Sequence, residues 1–543
     1  MSVLFDSFVA GLTTGICTAA FPGQRWLAQF ERAAARFSRR KTATVLCLGL
    51  VSILSRLALL PVLPVPLPAI HDEFSYLLAA DTFAHGRLAN PPHPMWVFFD
   101  TFHVLQHPTY ASKYPPGPGA VMALGERLGD PWIGVLLSMA GMVMAVTWML
   151  QSWVPPPWAA LGGVLVLLRL GLFNRWFDNY YDASLPLIGG ALVLGAFRRI
   201  LNSQRALDGL LFGMGAVVLA CTRTFEGFVF CLPIVIALAV SLKRKSNRSA
   251  RSLLVPGVPA LLMLVAGLTF LACYNVSVTK NALEFPWALY HRQYFNYSVF
   301  VWQKPGPPLK YSNPQFEEFF NHYQRGPDSK VSWKWHVWGT FWVWWSAYPG
   351  PLLTIPLLMA ARLWQDRRMR VLLLVCGISA LGLLSVVWFQ PPYAAPVAAA
   401  FFILVVQGMR HLRHARLWGR PVGVFLTRMM VILALAWAIV QTVHASRYPR
   451  LTWSSRRAAV SATLGEKPGQ HLVLVRYSPS HNVHQEWVYN EAEIDRARVV
   501  WARDMPGVDL NPLLAYFKDR DVWVVDADLS PPHLEPYRKA TAP

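Results

Sequence analysis

Two carboxylates stand side by side at Asp72 and Glu73, in the run His71-Asp72-Glu73-Phe74-Ser75-Tyr76 that follows the proline-rich stretch PVLPVPLP. A carboxylate at such a point can serve as a general base. Its simpler use is structural: an Asp before a helical run caps the helix, and an acid in the first turn is favoured by the helix dipole. Two cations are placed to face an anion. Lys113 lies in Tyr110-Ala111-Ser112-Lys113-Tyr114-Pro115-Pro116-Gly117, and Arg223 in Cys221-Thr222-Arg223-Thr224-Phe225-Glu226, where pairing with Glu226 is the plainer use. Arg56 and Arg169 fall inside apolar runs. Arg56 is expected to snorkel to an interface, whereas Arg169, lying deeper, calls for an internal partner or an anionic ligand. The run Asn174-Arg175-Trp176-Phe177-Asp178-Asn179-Tyr180-Tyr181-Asp182 mixes aromatic rings with Asp178 and Asp182, which suits a sugar ring. Aromatic residues also collect at membrane interfaces, which accounts for each of them singly. His93, His103 and His107, and farther on His481, His484 and Glu486, lack the helical HExxH arrangement of a zinc site. Ordinary polar roles are expected for them, with no cofactor; a divalent metal is compatible but not favoured.

These residues need elements to hold them, and composition says what kind. Of 543 residues, 54% are hydrophobic and 15% charged, far below the roughly 25% charged of soluble proteins. Segments near 43–63, 131–152, 158–176, 184–200, 208–224, 226–242, 252–273, 338–361, 370–389, 393–409 and 421–443 read as membrane spans. The net charge of +21 points to nucleic acid only until its location is considered. Clusters such as Arg36, Arg39, Arg40 and Lys41, or Lys243, Arg244, Lys245 and Arg248, fall between apolar runs. If the spans alternate, all such clusters lie on one side, the positive-inside pattern, and no nucleic-acid partner is expected. Five of the six cysteines lie in spans and there is no CxxC, so neither a disulfide framework nor a zinc site is expected.

The expected fold class is mainly α: a polytopic bundle of about eleven spans with a small extramembrane α/β domain at its C-terminal end. Residues 1–42 form a cytoplasmic segment, amphipathic over 24–41, in which 8–22 make a poor signal peptide. Residues 43–443 form the transmembrane domain, with outer loops at 64–130 and 274–335, and 444–543 the outer domain. In the first outer loop, 72–86 reads as an amphipathic helix lying on the membrane, with Asp72, Ser75, Tyr76, Ala79 and Phe83 on one face. In the outer domain, strands are expected at 471–476, 499–502 and 522–525 and helices at 485–496 and 511–517, a pattern that favours parallel strands.

An acidic pair just outside the first span resembles the GT-C superfamily of membrane glycosyltransferases. It looks most like protein O-mannosyltransferases and the bacterial enzymes that transfer aminoarabinose to lipid A. The run Tyr110–Gly117 is similar to a charged Lys-Pro-Pro element of those enzymes, though Tyr114 separates Lys113 from the prolines and Ser112 stands where an acid is often found. Gln390-Pro391-Pro392-Tyr393-Ala394-Ala395-Pro396 resembles a His-Tyr element, with Pro392 in place of the histidine. The resemblance implies an inverting transfer of a sugar from a polyprenyl-phosphate donor to an acceptor on the outer face. Asp72 would be the base, and Glu73 would orient the acceptor or a basic partner. Lys113, Arg223 and Arg169 would hold the donor phosphate; Tyr76, Tyr114, Asp178, Asp182 and Tyr393 would bind substrate. The implied partners are the lipid-linked donor, membrane lipid, and an acceptor lipid, glycan or protein. The implied location is a bacterial inner membrane, with the N-terminus cytoplasmic and the C-terminal domain periplasmic. Two other classes remain open: a transporter or lipid flippase, which would place charges at mid-membrane and matched broken helices in two halves, and a non-catalytic membrane scaffold, in which Asp72 is dispensable.

Overall fold

The structure is a computed structural model that describes residues 24–181, 183–244, 250–295, 298–304, 306–311, 313–324, 333–447 and 452–538. The expectations for 8–22 and for Asp182 lie outside the described residues. Each expected span overlaps helix, though those at 43–63, 158–176 and 370–389 run past the helix ends. Among the described residues seven helices are long and apolar enough to cross a membrane: Lys41–Ala58, Pro131–Trp153, Ser184–Ser203, Thr224–Lys243, Leu254–Thr279, Pro391–Arg413 and Val422–Arg447. Pro156–Gly171 and Ala206–Ala220 are apolar but shorter. The chain is a multi-pass membrane protein.

Two expected spans are irregular, for identifiable reasons. The helix from Pro156 passes into a π turn over Leu167–Gly171, where Arg169 sits. The segment expected at 338–361 is not one helix but Trp333–Ala347 followed by short turns over Gly350–Thr354, Ile355–Met359 and Ala360–Gln365. The break falls at Tyr348-Pro349-Gly350-Pro351, where Gly350 has φ +56°, a conformation that suits glycine, and the prolines withhold backbone donors. Pro391–Arg413 runs through the middle of the bundle with 94% of its span buried; its Ala- and Val-rich surface accepts neighbours on all sides.

Helix α1 (His71–Ala84) carries the acidic pair. It is not a helix with one open face: Glu73, Phe74, Ser75, Tyr76, Leu78, Ala79 and Ala80 are all buried. The expected face is real but is covered by protein, since Ala79 and Phe83 pack against Gly119. A two-stranded hairpin, β1 (Val104–Leu105) and β2 (Ala111–Ser112), is antiparallel with Val104 opposite Ser112. Helix α2 (Pro116–Arg127) follows it.

The C-terminal unit holds a four-stranded sheet of β3 (His471–Arg476), β4 (Val499–Arg503), β5 (Asp521–Asp526) and β6 (His533–Pro536), in the order β4-β3-β5-β6. β3 runs parallel to β4 and β5, as the alternating pattern predicts, and β6 adds an antiparallel edge. Residues 485–496 are not a helix. They run irregularly to a single 3₁₀ turn at Ile494–Arg496, because Trp487, Val488 and Tyr489 are all buried and no one helix face could serve three consecutive residues. An unexpected helix, α3 (Trp453–Glu466), packs beside the sheet. The sheet core is shared: Phe74 and Leu78 of α1, with Phe98, Phe99 and Val104, join Leu472, Val500 and Val524 in one apolar cluster.

Candidate active site

The two ends of the hairpin build the site. One residue beyond the Val104–Ser112 pair stand His103 and Lys113, so the antiparallel register sets them opposite each other. The Lys113 N–H donates to the His103 carbonyl (3.2 Å), and the Lys113 ammonium donates to His103 Nδ1 (2.8 Å). A neutral His103 ring then carries its proton on Nε2, the nitrogen that lies 3.9 Å from Asp72 Oδ2, too far for a direct hydrogen bond. His103 has φ 65°, and its backbone is held on both sides. Its N–H donates to the Tyr290 hydroxyl (2.8 Å) and its carbonyl accepts from Ser75 Oγ (2.6 Å).

Asp72 leaves the first turn of α1 toward this pair. Its Oδ1 accepts a hydrogen bond from the Tyr114 hydroxyl. Its side chain is 20% exposed, so Oδ2 stays within reach of a ligand. Burial and the nearby Asp72 charge hold the Tyr114 phenol well above its usual range, so it remains a donor. Burial pushes the Lys113 ammonium down to about 8, against the pull of Asp72. Burial, with the Lys113 charge, keeps His103 well below its usual value and therefore neutral.

Aromatic rings link Asp72 to the second cation. Tyr76, one turn along α1, stacks on Tyr114 at 4.3 Å and meets the edge of Tyr181 at 5.8 Å. The Arg223 guanidinium lies over Tyr181 (5.4 Å) and Tyr393 (4.6 Å). Arg223 occupies the turn between Ala206–Ala220 and Thr224–Arg244. Gly117 fixes this approach: its N–H bonds the Cys221 carbonyl at 2.8 Å, and a Cβ there would lie 2.7 Å from that oxygen. Only glycine lets the Lys113–Tyr114 strand lie so close to the Arg223 turn. Among the described residues neither Lys113 nor Arg223 closes an ion pair with a carboxylate; Lys113 faces a neutral imidazole and three rings, Arg223 two rings. The two half-buried cations feel each other, since Arg223 adds to the lowering of Lys113.

Asp72, Tyr76, Lys113, Tyr114, Arg223 and Tyr393 thus converge. The other expected site residues are engaged elsewhere. Glu73 turns away from Asp72 and accepts the N–H groups of Ala69 (2.7 Å) and Ile70 (3.0 Å), tying off the start of α1. Burial pushes its carboxyl up to about 7. Asp178 pairs with Arg56 (2.7 Å) and accepts from Trp132 Nε1 (3.2 Å). Arg56 therefore does not snorkel: it is fully buried, bonds the Leu63 and Pro64 carbonyls, and lies over Trp132. Arg169 donates to the carbonyls of Tyr348 (2.9 Å) and Ser346, the open end of a broken helix. Glu486 accepts from Tyr477 and Arg503 (2.7 Å), and His481 bonds Asp528 (2.7 Å). Among the described residues no three His, Cys, Asp or Glu side chains form a metal-holding group.

Three members of the site were visible in the sequence without a site role. His71 opens the acidic run, His103 was expected to have an ordinary polar role and Tyr181 lies in the aromatic run 174–182; the hairpin register and the folding of α1 bring them together. His71 is buried, bonds the Tyr489 hydroxyl through Nδ1 (2.9 Å), and lies near His103 and His484 with ring centroids 5.8 and 5.9 Å away.

No family model matches the sequence, and no curated protein matches it. Similar solved structures exist. One is the Archaeoglobus fulgidus oligosaccharyltransferase in complex with Zn and sulfate, at TM-score 0.49 and 12% identity over 89% of this chain and 67% of that one. Another is ArnT from Cupriavidus metallidurans bound to undecaprenyl phosphate, at TM-score 0.45 and 13% identity over 89% and 92%. A third is the archaeal oligosaccharyltransferase AglB from Archaeoglobus fulgidus, with an inhibitory peptide and a dolichol-phosphate, at TM-score 0.41 and 12% identity over 80% and 62%.

Proposed function

We propose that this chain is a membrane glycosyltransferase of GT-C type that moves a sugar from a polyprenyl-phosphate donor to an acceptor on the outer face of a bacterial inner membrane. The observation that supports this most is the pair of half-buried cations, Lys113 and Arg223, gathered with the partly open Asp72 carboxylate around one group of tyrosines. A departing phosphate develops negative charge, and fixed cations in a place shielded from water stabilise it. In this reading the acceptor oxygen attacks the anomeric carbon, the carbon–oxygen bond to phosphate breaks with inversion, and the acceptor proton passes to Asp72 Oδ2. The phosphate leaves against Lys113 and Arg223. The Tyr114 hydroxyl fixes the carboxylate, while Tyr76, Tyr181 and Tyr393 offer ring faces to the sugar. Glu73 is a positioning residue that holds the first turn of α1, and Arg169 braces the broken helix beside the bundle.

The test is release of polyprenyl phosphate by the purified protein in nanodiscs, supplied with a panel of polyprenyl-phosphate sugars. Asp72→Asn, still able to accept the Tyr114 hydrogen bond, is expected to lose about 10²–10⁴-fold in turnover. Equal turnover in both proteins would remove Asp72 as the base. Wild-type protein that turns over no donor, even with lipid, glycan and peptide acceptors added, would sink the transferase reading itself.

A further inference from the structure

A second cleft lies on the far side of the tyrosines from Asp72. It measures about 270 Å³, close to the lower end of ordinary small-molecule pockets, roughly 300–1,000 Å³. Trp96 and His107 line it from the first loop, Tyr294 and Tyr311 from the 286–311 segment, with Asp100 inside and Lys310 at the rim. Asp100 is only 5% exposed. Its Oδ1 accepts from the Tyr294 hydroxyl (2.9 Å), the Thr101 N–H bonds the same carboxyl, and a carboxylate has lone pairs beyond these two. Trp96 and His107 meet edge to face at 4.8 Å. The cleft is braced from behind by the C-terminal unit, because Arg503, fully buried against Glu486, also donates to the Asp100 carbonyl (3.3 Å).

We propose that this cleft binds a saccharide ring. Aromatic faces suit the C–H face of a pyranose, while the Asp100 carboxyl accepts from a ring hydroxyl and Lys310 donates at the mouth. An organic amine is the other occupant that an aromatic cleft with a carboxylate suggests. The Lys310 ammonium at the rim opposes a cation, and burial pushes the Asp100 carboxyl up to about 7 against the pull of Tyr294 and Arg503, so it presents less than a full charge to an amine. The wall that separates the cleft from Asp72 is one pair of rings thick: Tyr294 stacks on Tyr290 at 4.6 Å, and Lys113 lies over the other ring at 5.0 Å. The cleft is thus placed to hold a sugar unit of the acceptor next to the transfer point. Binding stands by itself, and only this acceptor role rests on the transferase reading.

The experiment is saturation-transfer NMR on the full chain in nanodiscs. The probes are methyl α-D-mannopyranoside, methyl β-D-glucopyranoside, N-acetyl-D-glucosamine and D-galacturonic acid, with choline chloride as the amine arm. At least one sugar is expected to give a saturable signal. Trp96→Ala should weaken it about tenfold, and Trp96→Phe should restore most of it. Asp72→Asn should leave it unchanged, so loss of turnover and loss of this site are separately visible. No saturable sugar signal, a signal indifferent to Trp96→Ala, or saturable binding of choline alone would each overturn the proposal.

Discussion

Lys113 shows what one side chain can be asked to do at this site. It donates to a neutral imidazole, rests among three rings and senses Arg223, and burial brings its ammonium down to about 8. The group is charged below that value and neutral above it, so the phosphate contact proposed for it weakens as pH rises through about 8. The donor KM is expected to climb across that range in wild type. Lys113→Arg, whose guanidinium stays charged, should keep KM flat, and a wild-type KM unchanged from pH 7 to 9 would take Lys113 out of phosphate binding. At the same scale, Asp178 shows where a residue type misleads. Its neighbours in sequence look like a sugar platform, but a fully buried arginine from a distant span, Arg56, takes the carboxylate. Burying an unpaired charge is so unfavourable that a partner must be found, and nothing in the local run Asn174–Asp182 shows that Arg56 will be the one.

At the scale of elements, α1 decides the geometry, and Glu73 decides where α1 begins. The buried Glu73 carboxyl titrates near 7, above its unfolded value, so the stability it contributes is present below about 4.5 and is lost as pH rises through about 7. Glu73→Gln keeps an oxygen for the Ala69 and Ile70 N–H groups and removes that titration. The variant is expected to keep its turnover and to gain on the order of 1–3 kcal/mol over wild type at pH 8 relative to pH 5, read from thermal unfolding at the two pH values. Glu73→Ala should instead lose about 1 kcal/mol and lower kcat. A Gln variant with the same pH slope as wild type would show that Glu73 is not the group that titrates. The face of α1 was legible, because Asp72, Ser75, Tyr76, Ala79 and Phe83 recur at helical spacing and do share a side. What covers that face was not: a hairpin of two residues per strand leaves too short a pattern to see. The expected helix at 485–496 failed for the opposite reason, in that its polar residues look helical while its buried run Trp487–Tyr489 does not.

At the scale of the molecule, the bundle was the most legible part, since long apolar runs and basic clusters leave few alternatives. The docking of the C-terminal unit was not legible at all. It is carried by α1, whose Phe74 stacks on Tyr489 at 4.1 Å and on Trp453 at 5.8 Å, and by Arg503, which donates across to the Asp100 carbonyl (3.3 Å) and is held inside the unit by Glu486, both side chains being at most 1% exposed. Removing one partner of such a pair costs about 3–5 kcal/mol. Glu486→Ala is therefore expected to loosen the unit, to raise amide exchange over residues 71–84 and to depress turnover with Asp72 intact. Unchanged exchange there, in a variant that is destabilised, would uncouple the unit from α1.

That stacking also has a consequence for timing. A ribosome delivers residues 71–84 long before residues 453–538 exist, and chains fold from the N-terminal side as they emerge. Until Trp453 and Tyr489 arrive, Phe74 of α1 lacks both of its ring partners from that unit. A nascent chain that holds only the bundle is expected to show faster amide exchange over residues 71–84 than the whole protein. The stack on Phe74 is complete once Tyr489 has been made, before β4, β5 and β6 exist.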